Sequence, residues 1–349
     1  MGKGISKRKL RRDKSKPEKA QRPDEGPMVK ASFGSGHEKK GVEIKPDSNT
    51  DYKRSNRFLE LYDKQYKKLL IIPFVILLFA IGQLVYQSSV TGDFMNKGVS
   101  LKGGVTITVP VSQDGFDILE FEKFLKTENP DYDINARAIT SIGSLEGVLI
   151  ESDASTKEES DGLISSISKY TKVEQEDMSI NIIGSSLGAS FFTQTFYAMI
   201  IAFIFMGGVV FLYFRTVAPS LAVILAAFSD IVVTLAIVNV LGIKLSTAGI
   251  AAFLMLIGYS IDTDILLSTR VLKQKEGDVF TRVVNALKTG LTMNITTLIA
   301  LFVAMILSDS EVLSQIMTIL FIGLLVDIIN TWIQNVGILR IYLERTGAK

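Results

Sequence analysis

The 349-residue chain has no cysteine and only one histidine. The absence of cysteine excludes disulfides, thiolate nucleophiles and cysteine-ligated metals. The one imidazole, His37, lies in a polar N-terminal stretch, so an active site or metal centre built from several histidines is also excluded. The sequence shows no phosphate-binding loop and no nucleophile–base pair. We therefore expect a protein that is not an enzyme, with no catalytic residues, no cofactor and no metal site.

Charge is distributed very unevenly along the chain. Residues 1–68 carry 20 Lys or Arg against 10 Asp or Glu, whereas residues 91–185 carry 8 against 17. The remaining residues form long apolar runs with few charges. This separation predicts three different environments for one chain: a basic tail, an acidic soluble domain and a membrane domain.

The N-terminal region has two parts. Residues 1–56 are rich in Lys, Pro, Ser and Gly, which predicts a disordered basic cytoplasmic tail. Such a tail sets topology and solubility, or alternatively contacts anionic lipid or the ribosome; other nucleic-acid binding is not expected. Residues 57–68 predict an interfacial amphipathic helix. Its apolar side carries Phe58, Leu61, Tyr62 and Tyr66.

Six segments are long and apolar enough to cross a bilayer, which needs about 20 apolar residues per helix. The predicted spans are 69–89, 193–214, 217–241, 246–268, 288–307 and 312–338. Lys and Arg concentrate before the first span, in alternate loops, and in the C-terminal segment 339–349. This pattern predicts that both termini are cytoplasmic and that residues 91–185 lie outside the cell membrane.

Within residues 91–185 the apolar pattern changes to period two, which is typical of half-buried strands. The predicted order βαββαβ favours a ferredoxin-like α+β extracytoplasmic domain between the first and second of six transmembrane helices. Strands are predicted at 104–111, 133–140, 147–153 and 173–183, and helices at 117–126 and 157–170.

Four carboxylates fall inside predicted spans, where an ionisable group costs roughly 2.5–3.5 kcal/mol and usually has a function. These ion-coupling candidates are Asp230, Asp262, Asp264 and Asp327. The polar residues predicted to support them are Lys288, Asn294, Thr296, Thr297 and Asn330. The alternative is that these groups only join helices by hydrogen bonds.

Two of the carboxylates share the fourth span. Residues two positions apart on a helix point about 200° apart, so Asp262 and Asp264 cannot share one face. Gly258, one turn before Asp262, predicts close approach of a neighbouring helix on that face. Asp262 is therefore the favoured candidate, and Asp264 is predicted to meet Lys288 or a water-filled edge.

Several segments resemble the SecD/SecF family of protein-export membrane proteins. The segments SDIVVTL (229–235), GYSIDTDILLSTR (258–270) and ALKTGLTMNITTLIALF (286–302) are similar to signatures of its third to fifth spans. SLKGG (100–104) and GSSLG (184–188) are similar to the motifs that flank its outer domain. The matching motif glycines are Gly103, Gly104, Gly184, Gly188 and Gly258. The acidic residue of bacterial SecF sequences aligns with Thr263, and Ser185 replaces a motif proline.

The resemblance implies an auxiliary subunit of the Sec translocase, of the resistance-nodulation-division superfamily. It implies a SecD-like partner, the Sec channel and exported polypeptides as further partners, and use of the proton gradient for export. The small outer domain resembles that of SecF, and the residues of the fourth-span signature resemble those of archaeal members. Two alternatives remain open: a non-transporting scaffold for SecD and the channel, or an exporter of small molecules or lipids.

Overall fold

The structure is a computed structural model that describes residues 57–111, 116–141, 144–274, 277–308 and 310–347. The predicted tail at 1–56 lies outside the described residues, as do the side chains of Phe58 and Leu61. The α-helices are α1 Arg57–Leu69, α2 Ile71–Thr91, α3 Val99–Lys102, α4 Ile118–Glu128, α5 Lys157–Thr171, α6 Ser185–Phe214, α7 Val217–Val240, α8 Thr247–Lys273, α9 Val279–Leu307, α10 Glu311–Ile329 and α11 Val336–Thr346. The strands are β1 Gly104–Pro110, β2 Ile134–Ser141, β3 Ser144–Ser152 and β4 Ser179–Ile183.

Six helical segments of the described chain are long and apolar enough to cross a membrane, which confirms the six predicted spans. They are Tyr62–Thr91, Ser185–Phe214, Val217–Val240, Thr247–Lys273, Val279–Leu307 and Val312–Thr346. The second begins at Ser185 instead of the predicted 193, because the helix starts directly after β4, which ends at Ile183. The sixth combines α10, a π-helical segment at Asn330–Asn335, and α11.

Helices α7 and α8 form the buried centre of the bundle, whereas α6 and α9 expose most of their apolar side chains. The buried side of α7 is rich in small residues, including Ala222, Ala226 and Ala236. Small side chains let helix backbones approach closely. Such packing favours helix association in a bilayer, where the hydrophobic effect does not drive helices together. The most enclosed part of the molecule is therefore the space between α7, α8 and the sixth span.

The four strands form one antiparallel sheet in the order β2-β3-β1-β4. Its residues, 104–183 with the helices between the strands, are called the sheet domain below. Helices α4 and α5 pack on the sheet around a core that includes Phe121, Leu125, Leu163 and Ile167. Thr156 caps α5 in a reciprocal capping box with Glu159. The sheet domain thus has its own hydrophobic core.

The predicted fourth strand at 173–183 is wrong over its first half. Gln175–Asp177 forms a 3₁₀ turn, and the strand occupies only Ser179–Ile183. The run Glu174–Asp177 is polar and acidic and offers no apolar side chain to the core. The alternation that supports a strand begins only after that run.

The sheet domain joins the second span through close backbone contacts between glycines. Gly103 has φ +91°, and a Cβ there would lie 2.5 Å from Cα of Ser185. A Cβ on Gly188 would lie 2.5 Å from the backbone nitrogen of Gly103. Gly184, in contrast, has open space around its Cβ position. Two of the motif glycines therefore allow the start of α6 to pack directly on the backbone between α3 and β1.

A second attachment runs from the loop before α3 to the loop between α7 and α8. The backbone N–H of Gly98 donates to the carbonyl of Leu245 at 2.7 Å, and that of Leu245 donates to Asn96 at 2.7 Å. Lys244 in the same loop pairs with Asp133 of the sheet domain at 3.0 Å. The sheet domain is therefore fixed to the bundle on two sides.

Candidate functional site

Asp230 lies at the centre of α7 and is completely buried. The hydroxyl of Ser260 on α8 donates to its Oδ2 at 2.6 Å. The side-chain amide of Asn330, in the π-helical segment, donates to its Oδ1 at 2.8 Å. Three elements thus meet at this carboxyl group, and both of its oxygens have a neutral donor.

Asp264 on α8 and Asp327 on α10 share one hydroxyl group. The Thr331 hydroxyl lies 3.0 Å from Oδ1 of Asp264 and 2.9 Å from Oδ1 of Asp327. The Asn335 amide donates to the same oxygen of Asp264 at 2.7 Å, and the Asn294 amide donates to Oδ2 of Asp327 at 3.1 Å. The two carboxyls come from different helices but belong to one network.

Asp230, Asp264 and Asp327 form what we call the carboxyl cluster, and their exposed fractions are 0%, 0% and 2%. The hydrogen-bond donors that contact them are neutral hydroxyl and amide groups. Buried like charges repel strongly unless they are neutralised. A hydroxyl donates a single proton, so the shared Thr331 group can bond both neighbours only if one of them is protonated. An arrangement of this kind can hold a proton on one of its carboxyl groups.

The π-helical segment places its polar side chains in two pairs. Thr331 and Asn335 both face Asp264 on α8. Asn330 and Gln334 face α7, where they bond Asp230 and Ser229 respectively. A π-helical turn is wider than an α-helical turn, and such turns occur frequently at functional sites. The irregular turn lets one span serve carboxyls on two neighbouring helices.

The structure reverses the predicted positions of the two carboxyls in the fourth span. Asp262 is exposed on the surface of the chain, and so is Gly258. A Cβ added to Gly258 would meet nothing within 4 Å, so the predicted close approach of a neighbouring helix there is wrong for this chain. The stripe that faces the bundle is instead Ser260, Thr263 and Asp264. Asp264, predicted to meet Lys288 or a water-filled edge, lies in the buried network.

The predicted supporting residues fall into two groups. Asn294 and Asn330 belong to the cluster. Thr296 and Thr297 donate their hydroxyls to carbonyls of their own helix, at 2.7 and 3.0 Å. Lys288 has an exposed side chain on α9. The motif glycines Gly103 and Gly188 lie where the chain before β1 meets the start of α6, whereas Gly104 faces the backbone of Ser152 at the end of β3.

Sequence reasoning missed Thr331, Gln334 and Asn335. A signal for them was present, because the polar positions 327, 330, 331, 334 and 335 follow the spacing of one helical stripe. In an otherwise apolar span, a polar stripe indicates a side that faces protein and not lipid. The same pattern in the fourth span, at 260, 263, 264 and 268, identifies Ser260 and Thr263 and ranks Asp264 above Asp262.

Residues 163–345 match the family model described as protein export membrane protein SecD/SecF, C-terminal. The chain is 38% identical over 292 residues to the protein-export membrane protein SecF of Pyrococcus furiosus, covering 83% of this chain and 95% of that protein. It is 36% identical over 294 residues to SecF of Methanocaldococcus jannaschii, covering 82% and 99% respectively.

A solved structure has a similar fold. It is the crystal structure of SecDF, a translocon-associated membrane protein, from Thermus thermophilus, with a TM-score of 0.64 and 18% identity. The match covers 83% of this chain and 39% of the SecDF chain, so this chain spans well under half of that protein.

Proposed function

Because the chain belongs to the SecD/SecF family of protein-export membrane proteins, we propose that it acts with a SecD-like subunit at the Sec channel to promote the export of polypeptides. Its six apolar helices make it a multi-pass membrane protein. The curated SecF relatives match it over almost their whole length, which supports a SecF-type role. The proposal assigns no enzymatic step to this chain.

The proposed orientation has both termini in the cytoplasm and the sheet domain outside. Arg270, Lys273 and Arg282 flank the α8–α9 loop, whereas the α7–α8 loop contributes only Lys244, which pairs with Asp133. Basic residues concentrate on the cytoplasmic side of membrane proteins, which supports this orientation. The strand order β2-β3-β1-β4 with helices after β1 and β3 supports a ferredoxin-like sheet domain.

The carboxyl cluster is the proposed point of coupling to the proton motive force. The observation that carries this proposal is the Thr331 hydroxyl shared by Asp264 and Asp327. When the pair holds one proton, the hydroxyl donates to one carboxyl and accepts from the other, and both bonds form. When the pair loses that proton, the hydroxyl can donate to only one carboxylate, and either its bond to α8 or its bond within the sixth span is lost. Protonation of the cluster thereby changes the relative stability of two packing arrangements of these helices.

Asp262 has a different proposed role, at the surface between subunits. It is exposed on a membrane-spanning helix, beside Tyr259, which is 45% exposed. A carboxylate facing lipid is strongly unfavourable, so this side of α8 needs a polar partner or a neighbouring subunit to cover it. We place the SecD-like subunit on this side of α8.

The test is complementation of cells that lack the chain, with precursor accumulation of an exported protein measured by pulse labelling. Wild type restores export, and Asp230→Asn, Asp264→Asn and Asp327→Asn each restore it only in part. Full restoration by all three variants, with normal recovery of the SecD-like partner on purification, would instead support the scaffold function. Asp262→Asn is expected to reduce recovery of the partner.

A further inference from the structure

Six buried polar atoms around the π-helical segment and the carboxyl cluster have no hydrogen-bond partner in the described protein. Those on the side of the cluster towards the end of α8 are Oδ2 of Asp264, Oγ of Ser268, Oε1 of Gln334 and Oδ1 of Asn335. All four side chains have an exposed fraction of 0%. Buried polar atoms normally have partners, so these four atoms are candidates to contact a bound molecule.

These atoms form a second polar layer. Ser268 lies one turn after Asp264 on α8, and Asn335 lies one turn after Thr331. One turn corresponds to about 6 Å along a helix axis, since each residue rises 1.5 Å. Both steps lead towards the α8–α9 loop, which is the proposed cytoplasmic side. The second layer therefore lies between the carboxyl cluster and that side of the membrane.

The chemistry of the second layer is an excess of acceptors. A carboxylate oxygen and two amide oxygens can only accept hydrogen bonds, and a hydroxyl can accept as well as donate. The ligand that fits such a set supplies protons in hydrogen bonds, as water or a hydrated proton does. Partnered amide nitrogens hold Asn335 and Gln334 in place, since they donate to Asp264 and Ser229.

Asp264 differs from the other two members of the cluster. Both carboxyl oxygens of Asp230 and of Asp327 have a hydrogen-bond partner in the protein. In Asp264, Oδ1 has two partners while Oδ2 has none. Only Asp264 among the three therefore has an oxygen available to a molecule in the second layer.

An apolar cluster closes the second layer on its other side. Val271 follows Ser268 by three positions, Leu339 follows Asn335 by four, and both are buried in one hydrophobic cluster with Val336. Apolar side chains therefore follow the second layer in the direction of the α8–α9 loop.

We propose that the second layer holds water, and that Asp264 is the carboxyl through which the cluster exchanges protons with the α8–α9 loop side. A proton moves from a hydronium ion to Oδ2 of Asp264, which leaves one water molecule and a neutral carboxylic acid. Ser268 and Asn335 are positioning residues for that water. The inference rests on the proposed function, because it specifies the route by which the same cluster is loaded.

The absence of cysteine from the chain makes a direct test of water access possible. Ser268→Cys places a thiol in the second layer, and Thr234→Cys is the matched control. Thr234 is equally buried and its hydroxyl also has no partner, but it lies one turn beyond Asp230 on the opposite side of the cluster. The probe is the silver ion, added to native membranes that contain the full complex. Unreacted thiols are then counted by maleimide labelling after denaturation.

We expect the Ser268→Cys protein to react at least roughly tenfold faster than the Thr234→Cys protein, because a thiol in dry apolar surroundings is unreactive. Equal rates, or a faster reaction of the control, would overturn the inference. The labelling rate is measured without a gradient and without export. The water-access inference can therefore be contradicted while the coupling function holds, and the coupling function can be contradicted while water access is found.

A second pair of variants covers the case in which the cysteine variant does not fold. Ser268→Thr keeps a hydroxyl, and Ser268→Val has nearly the same shape without one. We expect Ser268→Val to lose more than half of the gradient-stimulated part of export and Ser268→Thr to keep it. Equal export by the two variants would contradict the positioning role, since steric effects alone affect both alike.

Discussion

Asp264 and Asp327 lie on either side of one hydroxyl group, that of Thr331, with oxygen–oxygen distances of 3.0 and 2.9 Å. The two carboxyls come from the fourth and sixth spans, so this hydroxyl connects helices that are distant in sequence. Its single proton can serve only one of them at a time. The bond pattern therefore depends on which carboxyl carries a proton, and in the proposed function it links the protonation of the cluster to the packing of the two helices.

The first prediction concerns this shared hydroxyl. Thr331→Val keeps the shape of the side chain but removes the bond to both carboxyls. We expect the free energy of unfolding to fall by about 1–3 kcal/mol, the cost of leaving buried polar groups without a partner. The measurement is the Tm of the purified protein with its partner in detergent.

Thr296→Val is the matched control for that substitution. Its hydroxyl donates only to the carbonyl of Thr292 in its own helix, and its side chain is exposed. The free energy of unfolding should change by less than about 0.5 kcal/mol. A similar loss for both variants would show that the Thr331 hydroxyl stabilises the protein no more than an exposed hydroxyl does.

The second prediction uses two glycines of one motif, Gly184 and Gly188. Gly188→Ala would place Cβ 2.5 Å from the backbone nitrogen of Gly103, whereas Gly184→Ala has open space. Overpacking of this kind costs about 1–3 kcal/mol. We expect Gly188→Ala to loosen the sheet domain from α6, and Gly184→Ala to behave as wild type.

The measurement for this pair is limited proteolysis of the intact protein in membranes. Faster cleavage near residues 98–104 in the Gly188→Ala protein alone would agree with the backbone packing described above. Equal cleavage rates in the two variants would contradict it.

The third prediction concerns the pH dependence of the contact between Asp133 and Lys244. Partial burial acts to raise the pKa of Asp133, but the hydrogen bond and charge of Lys244, together with the charges of Lys102 and Lys126, outweigh it, and the pKa is lowered. A lowered carboxyl pKa means that the contact stabilises the folded state above the unfolded pKa, about 3.9, and that this contribution is lost as the pH falls through the folded value.

Hydrogen exchange of the amides of Gly98 and Leu245 measures the attachment at this site. We expect exchange to accelerate below about pH 4 in the wild type, after correction for the intrinsic pH effect on exchange. Asp133→Asn should exchange at the faster rate at every pH. Glu128→Gln removes an exposed pair elsewhere in the sheet domain and should leave these amides unchanged. A pH response that persists in Asp133→Asn would assign the effect to another group.

The sequence predicts the regular parts of this molecule well, for a physical reason. Spans and strands depend on apolar periodicity, which is a local property, and β1, β2 and α5 lie close to their predicted positions. The position of a carboxyl on a helix is also local, which is why four candidates could be named. Whether each one faces inward depends on the neighbouring helices.

Asp262 and Asp264 show this limit clearly. Both sit in one span, and helix geometry establishes only that they point in different directions. The choice between them depends on where the π-helical turn puts Thr331 and Asn335, and a π-helical turn has no simple sequence signature. The polar stripe at 330, 331, 334 and 335 was nevertheless visible and would have favoured Asp264.

The most direct test of the account is gradient-stimulated export in membrane vesicles that carry Asp264→Asn. Export of a reporter protein is measured with the proton gradient intact and again after an ionophore removes it. Asp93→Asn, a carboxyl exposed outside the cluster, is the control. We predict that Asp264→Asn abolishes most of the stimulation by the gradient and leaves the gradient-independent part at the control level. Stimulation equal to that of the control would contradict a coupling role for the buried carboxyl cluster.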